Sequence, residues 1–166
     1  MKKILMSFFL VLLCVTSFAQ KSITISGVPL TIEGNLITTL QLVIDDKPNG
    51  TKELYSNVDP DLNILQISEI DMDKTGRVYS VNIYKINLQF VNKSFSFVTE
   101  KTFNAYNPNN IYVVQIGMQA DKNVMVKSYT TTDTKPSITT ERVGQIYFVK
   151  KDGADKYLAA ILSKVE

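Results

Sequence analysis

Apolar and polar residues alternate along most of the chain. Ile23 and Ile25 alternate with polar neighbours, as do Leu40, Leu42 and Ile44, so each set lines one face of an extended strand. Further on, Tyr79, Val81 and Ile83 keep one parity, and Tyr84, Ile86, Leu88 and Phe90 keep the other. A change of parity reverses which face is buried. It predicts a β-bulge, or a strand passing between two environments, at residues 83–84.

Turn-forming residues punctuate these runs. Glu33-Gly34-Asn35, Asp73-Lys74-Thr75-Gly76, Asp121-Lys122-Asn123 and Lys151-Asp152-Gly153 are predicted as short hairpin loops. Asn49-Gly50, Asp59-Pro60 and Asn107-Pro108-Asn109-Asn110 read as broader loops, and Thr130–Ser137, with Pro136 inside it, is the longest polar stretch. Asp-Lys occurs at residues 46, 73, 121 and 155 without a fixed period, so shared turn chemistry explains it better than a repeat.

The pattern predicts about nine to eleven strands, most joined by tight turns after residue 62. That is an all-β chain: a single antiparallel, meander-rich domain over residues 20–166, folded as a β-sandwich or a small β-barrel. Residues 156–165 carry two signals. Tyr157, Leu158, Ile161, Leu162 and Val165 fit helical spacing, but Asp152-Gly153 ahead of them is a hairpin signal, and the segment is read as a strand.

Composition supports the strands. From Gln20 onward there are 15 Ile, 14 Val and 14 Thr, side chains that suit a pleated sheet better than a helix. The first 19 residues differ: Lys2 and Lys3 precede an apolar run from Ile4 to Val15, and Ser17-Phe18-Ala19 supplies small residues at cleavage positions. Residues 1–19 are expected to be a cleaved signal peptide, because the run falls short of the roughly 20 residues a membrane span needs. Leu13 stands where lipoprotein processing of Cys14 requires a small side chain, which argues against lipidation. The leader resembles a bacterial one, and it implies a periplasmic, outer-membrane-associated or extracellular protein with no transmembrane segment after processing.

Removing the leader leaves 16 basic and 16 acidic residues, and no basic excess to attract nucleic acid. It also leaves no Cys, and the chain has no His or Trp. A Ser-His-Asp triad, a thiol nucleophile, an ordinary zinc site and His- or Cys-ligated haem are therefore excluded. No catalytic, cofactor-binding or metal-ligating residue is assigned.

Three groups of residues invite chemistry nonetheless. Asp71, Asp73 and Thr75 ahead of Gly76 resemble the first half of a calcium loop, although Asn82 stands where the bidentate Glu belongs, and Asp-x-x-Gly is also a common hairpin turn. Glu69, Asp71 and Asp73 share one strand face and could serve a carboxylate-based hydrolase. The alternative is a solvated face with Ile70 and Met72 in the core. Eight tyrosines remain, of which Tyr106, beside the Asn-Pro-Asn-Asn loop, is expected to be the most exposed aromatic.

The expectation is a non-catalytic exported protein, an accessory or structural subunit of a bacterial cell-envelope or surface assembly. Its partner would be another envelope or surface protein, and its oligomeric state is open. The alternatives are an apolar-ligand carrier, with Phe90, Phe95, Phe97 and Phe148 lining a barrel cavity, and a hydrolase of envelope polymers using Asp71 and Asp73.

Overall fold

In a computed structural model, residues 20–45 and 47–165 are described. The expected signal peptide at residues 1–19, with Cys14, lies outside the described residues. The chain starts with a hairpin of β1 (Gln20–Ile25) and β2 (Val28–Glu33). Ser26 and Gly27 form its two-residue loop at φ 50° and 76°, the left-handed pair whose twist matches the strands it joins.

A meander follows: β3 (Asn35–Ile44), β4 (Lys47–Asp59), β5 (Ile64–Asp73) and β6 (Val78–Asn87), each antiparallel to the next. Two short 3-10 turns, capped by the side chains of Asn87 and Asn92, carry the chain to β7 (Phe97–Thr102). Then come β8 (Tyr106–Asn107), β9 (Asn110–Gly117), β10 (Val124–Thr130), β11 (Ser137–Glu141), β12 (Val143–Phe148) and the helix α1 (Lys151–Leu162).

These strands make three sheets: a seven-stranded sheet in the order β11-β10-β6-β5-β4-β3-β8, a three-stranded sheet in the order β12-β9-β7, and the β1–β2 hairpin. The arrangement is sandwich-like and all-antiparallel, with one α-helix among the described residues. The large sheet does not close on itself, so of the two expected architectures the sandwich is realised and the barrel is not.

Both faces of the large sheet bury apolar side chains. On its inner face Leu40, Leu54, Leu65, Ile67, Ile86 and Val126 pack against Ile111, Val114, Ile116 and Ile146 of the small sheet, with Ala154 and Ile161 of α1 closing one side. Each such aliphatic side chain contributes about 1.5–3 kcal/mol when fully buried. On the outer face Ile70, Met72, Val81, Tyr55 and Tyr129 pack against Ile25 and Ile32 of the hairpin.

Burial on two faces explains the parity change in β6. Val81 belongs to the outer core and Ile86 to the inner one, while the pairing with β5 runs unbroken through Ile83 and Tyr84. The register shift lies instead between Asp71 and Met72, where Tyr79 is the extra residue on β6. The expected bulge at residues 83–84 is therefore corrected to a strand with two buried faces.

Several turn expectations are corrected too. Asp73–Gly76 is a hairpin loop, but Asp121-Lys122-Asn123 and Glu33-Gly34-Asn35 carry the chain from one sheet to another. Asn49-Gly50 lies inside β4 rather than in a loop. Residues 156–165 are not a strand: helix α1 runs through Leu162, with Lys151-Asp152-Gly153 as its first turn. Helical spacing prevails because Ala154 and Ile161 reach the core together and Tyr157 stacks on Phe148 at 5.3 Å between centroids. The Tyr157 hydroxyl also shares a 2.7 Å hydrogen bond with Ser56 of β4.

Candidate functional site

Two features of the large sheet have functional potential, one on each face. The inner face ends in a polar cluster. Cross-strand pairing sets Lys52 of β4 opposite Asp71 of β5, and Leu54 opposite Glu69, so the two carboxylates share the lysine's face. The Lys52 ammonium lies 3.2 Å from Glu69 Oε2 and 3.0 Å from Asp71 Oδ1. Exposure is 8 % for Lys52, 3 % for Glu69 and 9 % for Asp71, so this group is interior rather than a solvated strand face.

Four tyrosines surround the cluster. The Tyr84 hydroxyl donates to Glu69 Oε2 at 3.4 Å. Tyr106 and Tyr147 lie 6.3 Å apart between centroids, and Phe103 packs edge-on against both. Tyr106 is thus half-buried, against the expectation of an exposed aromatic. Tyr79 completes the set, close enough for the charges of Asp71 and Lys52 to act on it.

One ammonium against two carboxyls leaves an excess negative charge, and Glu69 Oε1 has no hydrogen-bond partner among the described residues. Burial raises the Glu69 carboxyl above its ordinary range, an effect that Lys52 opposes but does not cancel. Burial would lower Lys52, yet Glu69 and Asp71 together hold it above its usual value. Burial, together with the charge of Glu69, pushes the Tyr147 hydroxyl up to about 12.

Because the folded state raises Glu69, it binds a proton there more readily than the unfolded chain does. The stability from this group is full below the ordinary carboxylate pKa and is lost as pH rises through the folded value. Glu69→Gln should therefore flatten the stability profile, gaining on the wild type between pH 5 and 8. Urea unfolding at both pH values checks this, and an unchanged difference between the two proteins would refute the raised carboxyl.

Of the three residues that resemble a calcium loop, the structure sets Asp71 apart from Asp73 and Thr75. Asp71 is held by Lys52, whereas Asp73 caps its own turn: its Oδ1 accepts from Thr75 N at 2.8 Å, Thr75 Oγ1 at 2.6 Å and Arg77 N at 3.1 Å. Those bonds hold Asp73 below its usual value, the Thr75 hydroxyl first. Neither does the cluster form the open cleft with opposed carboxylates that the hydrolase alternative requires. Glu69 and Asp71 are neighbours on one strand, bridged by a single ammonium.

The aromatics expected to line a carrier cavity scatter as well. Phe148 is in the core, and Phe95 and Phe97 are exposed near the edge of the small sheet.

The outer face carries a groove. The hairpin crosses this face obliquely: Ser26 Oγ at its tip donates to Thr130 O at 3.0 Å, and Gly34 at its base abuts Ser56. On the β1 side, Lys21 pairs with Glu53 and sits 5.6 Å over the Tyr55 ring. On the β2 side, where Ile32 is buried in the outer core, Leu30, Thr31 and Glu33 form one wall of an open groove of about 520 Å³. Its floor is Gln66, Ile83, Lys85, Met125 and Lys127, with Ile138 of the edge strand β11 at its far side. Met125 is 40 % exposed and Ile138 65 %, so apolar surface faces solvent here.

Sequence reasoning missed Lys52 and the groove. The lysine shares parity with the buried Leu54, a detectable signal; the groove depends on where the hairpin lands, for which no local signal exists. Neither a protein-family model, nor a curated protein, nor a solved structure matches the chain.

Proposed function

We propose that this is an exported, non-catalytic binding protein, an accessory or structural subunit of a bacterial cell-envelope or surface assembly. The observation that carries the reading is the groove: apolar side chains stand in solvent beside strand edges that have no partner among the described residues. The chain's own hairpin covers part of the sheet's outer face, and Ile83, Met125 and Ile138 line the groove beside it.

The chemistry of the chain supports an interface rather than catalysis. From residue 20 onward it has neither imidazole nor thiol, and its paired carboxylates are buried against one lysine. The balanced charge of that part makes long-range steering weak, so shape and apolar contact would carry the association.

The test is a pull-down of the full chain, tagged at its C-terminus and expressed at native level, from gently solubilised envelopes. The expected result is one protein co-purifying in fixed ratio. Recovery of the protein alone, as a monomer, would overturn the reading.

A further inference from the structure

We propose that the groove beside β2 accepts an extended segment of a partner polypeptide as a third strand of the hairpin sheet. Its apolar side chains would face the floor, and a carboxylate would lie beside Lys85 and Lys127. This specifies the partner of the binding reading above and rests on it.

Hairpin geometry fixes which backbone groups are free. Ile25 and Val28 flank the two-residue loop, so that pair exchanges backbone hydrogen bonds, as do Ile23 with Leu30 and Lys21 with Ile32. The backbone groups of the intervening residues on β2, Pro29, Thr31 and Glu33, therefore point away from β1. Among the described residues β2 has no other strand beside it.

Thr31 and Glu33 thus present N–H and C=O groups at strand spacing along the groove wall. Pro29 has no N–H to offer, which confines pairing to the Thr31–Glu33 end and restrains indiscriminate strand addition. A row of alternating donors and acceptors is matched by another peptide backbone, not by an acyl chain.

The floor selects the side chains. Ile83 pairs across the sheet with Lys127, and Met125 with Lys85, so an aliphatic and a cationic residue stand side by side in each row. Ile138 extends the first row beyond Lys127. Among the described residues neither lysine has a carboxylate within ion-pair distance, and Lys127 rests 5.2 Å over the Tyr129 ring. Glu33 is the one carboxylate in the lining, which leaves the groove net positive. An incoming strand with alternate apolar residues and at least one Asp or Glu complements both features.

The experiment places a photoreactive phenylalanine derivative at Met125 and, in a second strain, at the exposed Phe95 of the second 3-10 turn. The full chain is irradiated in the cells that make it, and adducts are mapped by mass spectrometry. The expected adduct at Met125 is a protein segment with alternating apolar residues and a nearby carboxylate. The double variant Lys85→Glu, Lys127→Glu should lower its yield about tenfold, and Thr31→Pro should lower it similarly while circular dichroism stays unchanged. Protein adducts at Phe95 alone would overturn the strand-addition site and leave the binding reading standing. Adducts at neither position would overturn both, and a lipid or helical segment at Met125 would overturn the strand.

Discussion

Replacing Lys52 by Met is expected to remove about 3–5 kcal/mol of stability at pH 7, the loss typical of stripping the partner from buried charge. Among the described residues Lys52 is the single cation serving Glu69 and Asp71, and all three side chains are nearly enclosed. Met keeps most of the side-chain volume, so the loss reports charge rather than a cavity. Against a usual total of about 5–15 kcal/mol, such a loss brings the fold near its limit.

Two controls separate this from general damage. The deficit of Lys52→Met should shrink in acid, where Glu69 takes up a proton. Adding Glu69→Gln should recover part of it, because the two changes act on one cluster and are not additive. Urea unfolding of the three proteins at pH 5 and 7 gives the answer. A Lys52→Met loss below about 1 kcal/mol, the range of an exposed pair, would mean that water reaches the cluster.

Gly34→Ala is expected to cost about 3 kcal/mol or more and to move the hairpin. Gly34 has φ +114°, and a Cβ there would overlap the Ser56 carbonyl of β4. Backbone strain of this kind is worth about 1–3 kcal/mol, and a clash with backbone adds to it because no side chain can rotate away. The thermal midpoint should fall by about 6–12 °C. Gly27→Ala is the comparison: φ is +76°, but nothing lies within 4 Å of the added Cβ, so only the strain remains, about 1–2 kcal/mol. Equal losses at both glycines would show that the contact with Ser56 does not matter. Because Gly34 sets where β2 sits over the sheet, its substitution should also widen the groove.

The strands were legible because alternation is a local property of the chain. Ile23 with Ile25, and Leu40 with Leu42 and Ile44, fall in strands. Layering is not local. The run from Ile64 to Met72 reads from its sequence as a strand with one buried face, which puts Glu69 and Asp71 in solvent. The structure buries Leu65 and Ile67 on one face and Ile70 and Met72 on the other, so the acidic residues enter the interior with their parity mates.

The helix was misread for a related reason. Asp152-Gly153 is good hairpin chemistry, and the helical alternative is better only once Tyr157 meets nearby Phe148 and the distant Ser56. Of the candidate site, the carboxylates were named and the lysine was not. The groove, made by segments more than 100 residues apart, left no mark on either of them.

The path of β10 and β11 has a further consequence. β9 and β12 are neighbours in the small sheet, yet the chain between them crosses to the far edge of the large one. Pairing β12 with β9 therefore closes a loop that carries β10 and β11 through the other layer. The two layers also share one core, so they are expected to melt together. Calorimetry should see one sharp transition, and native-state hydrogen exchange should give β6 and β9 the same opening free energy.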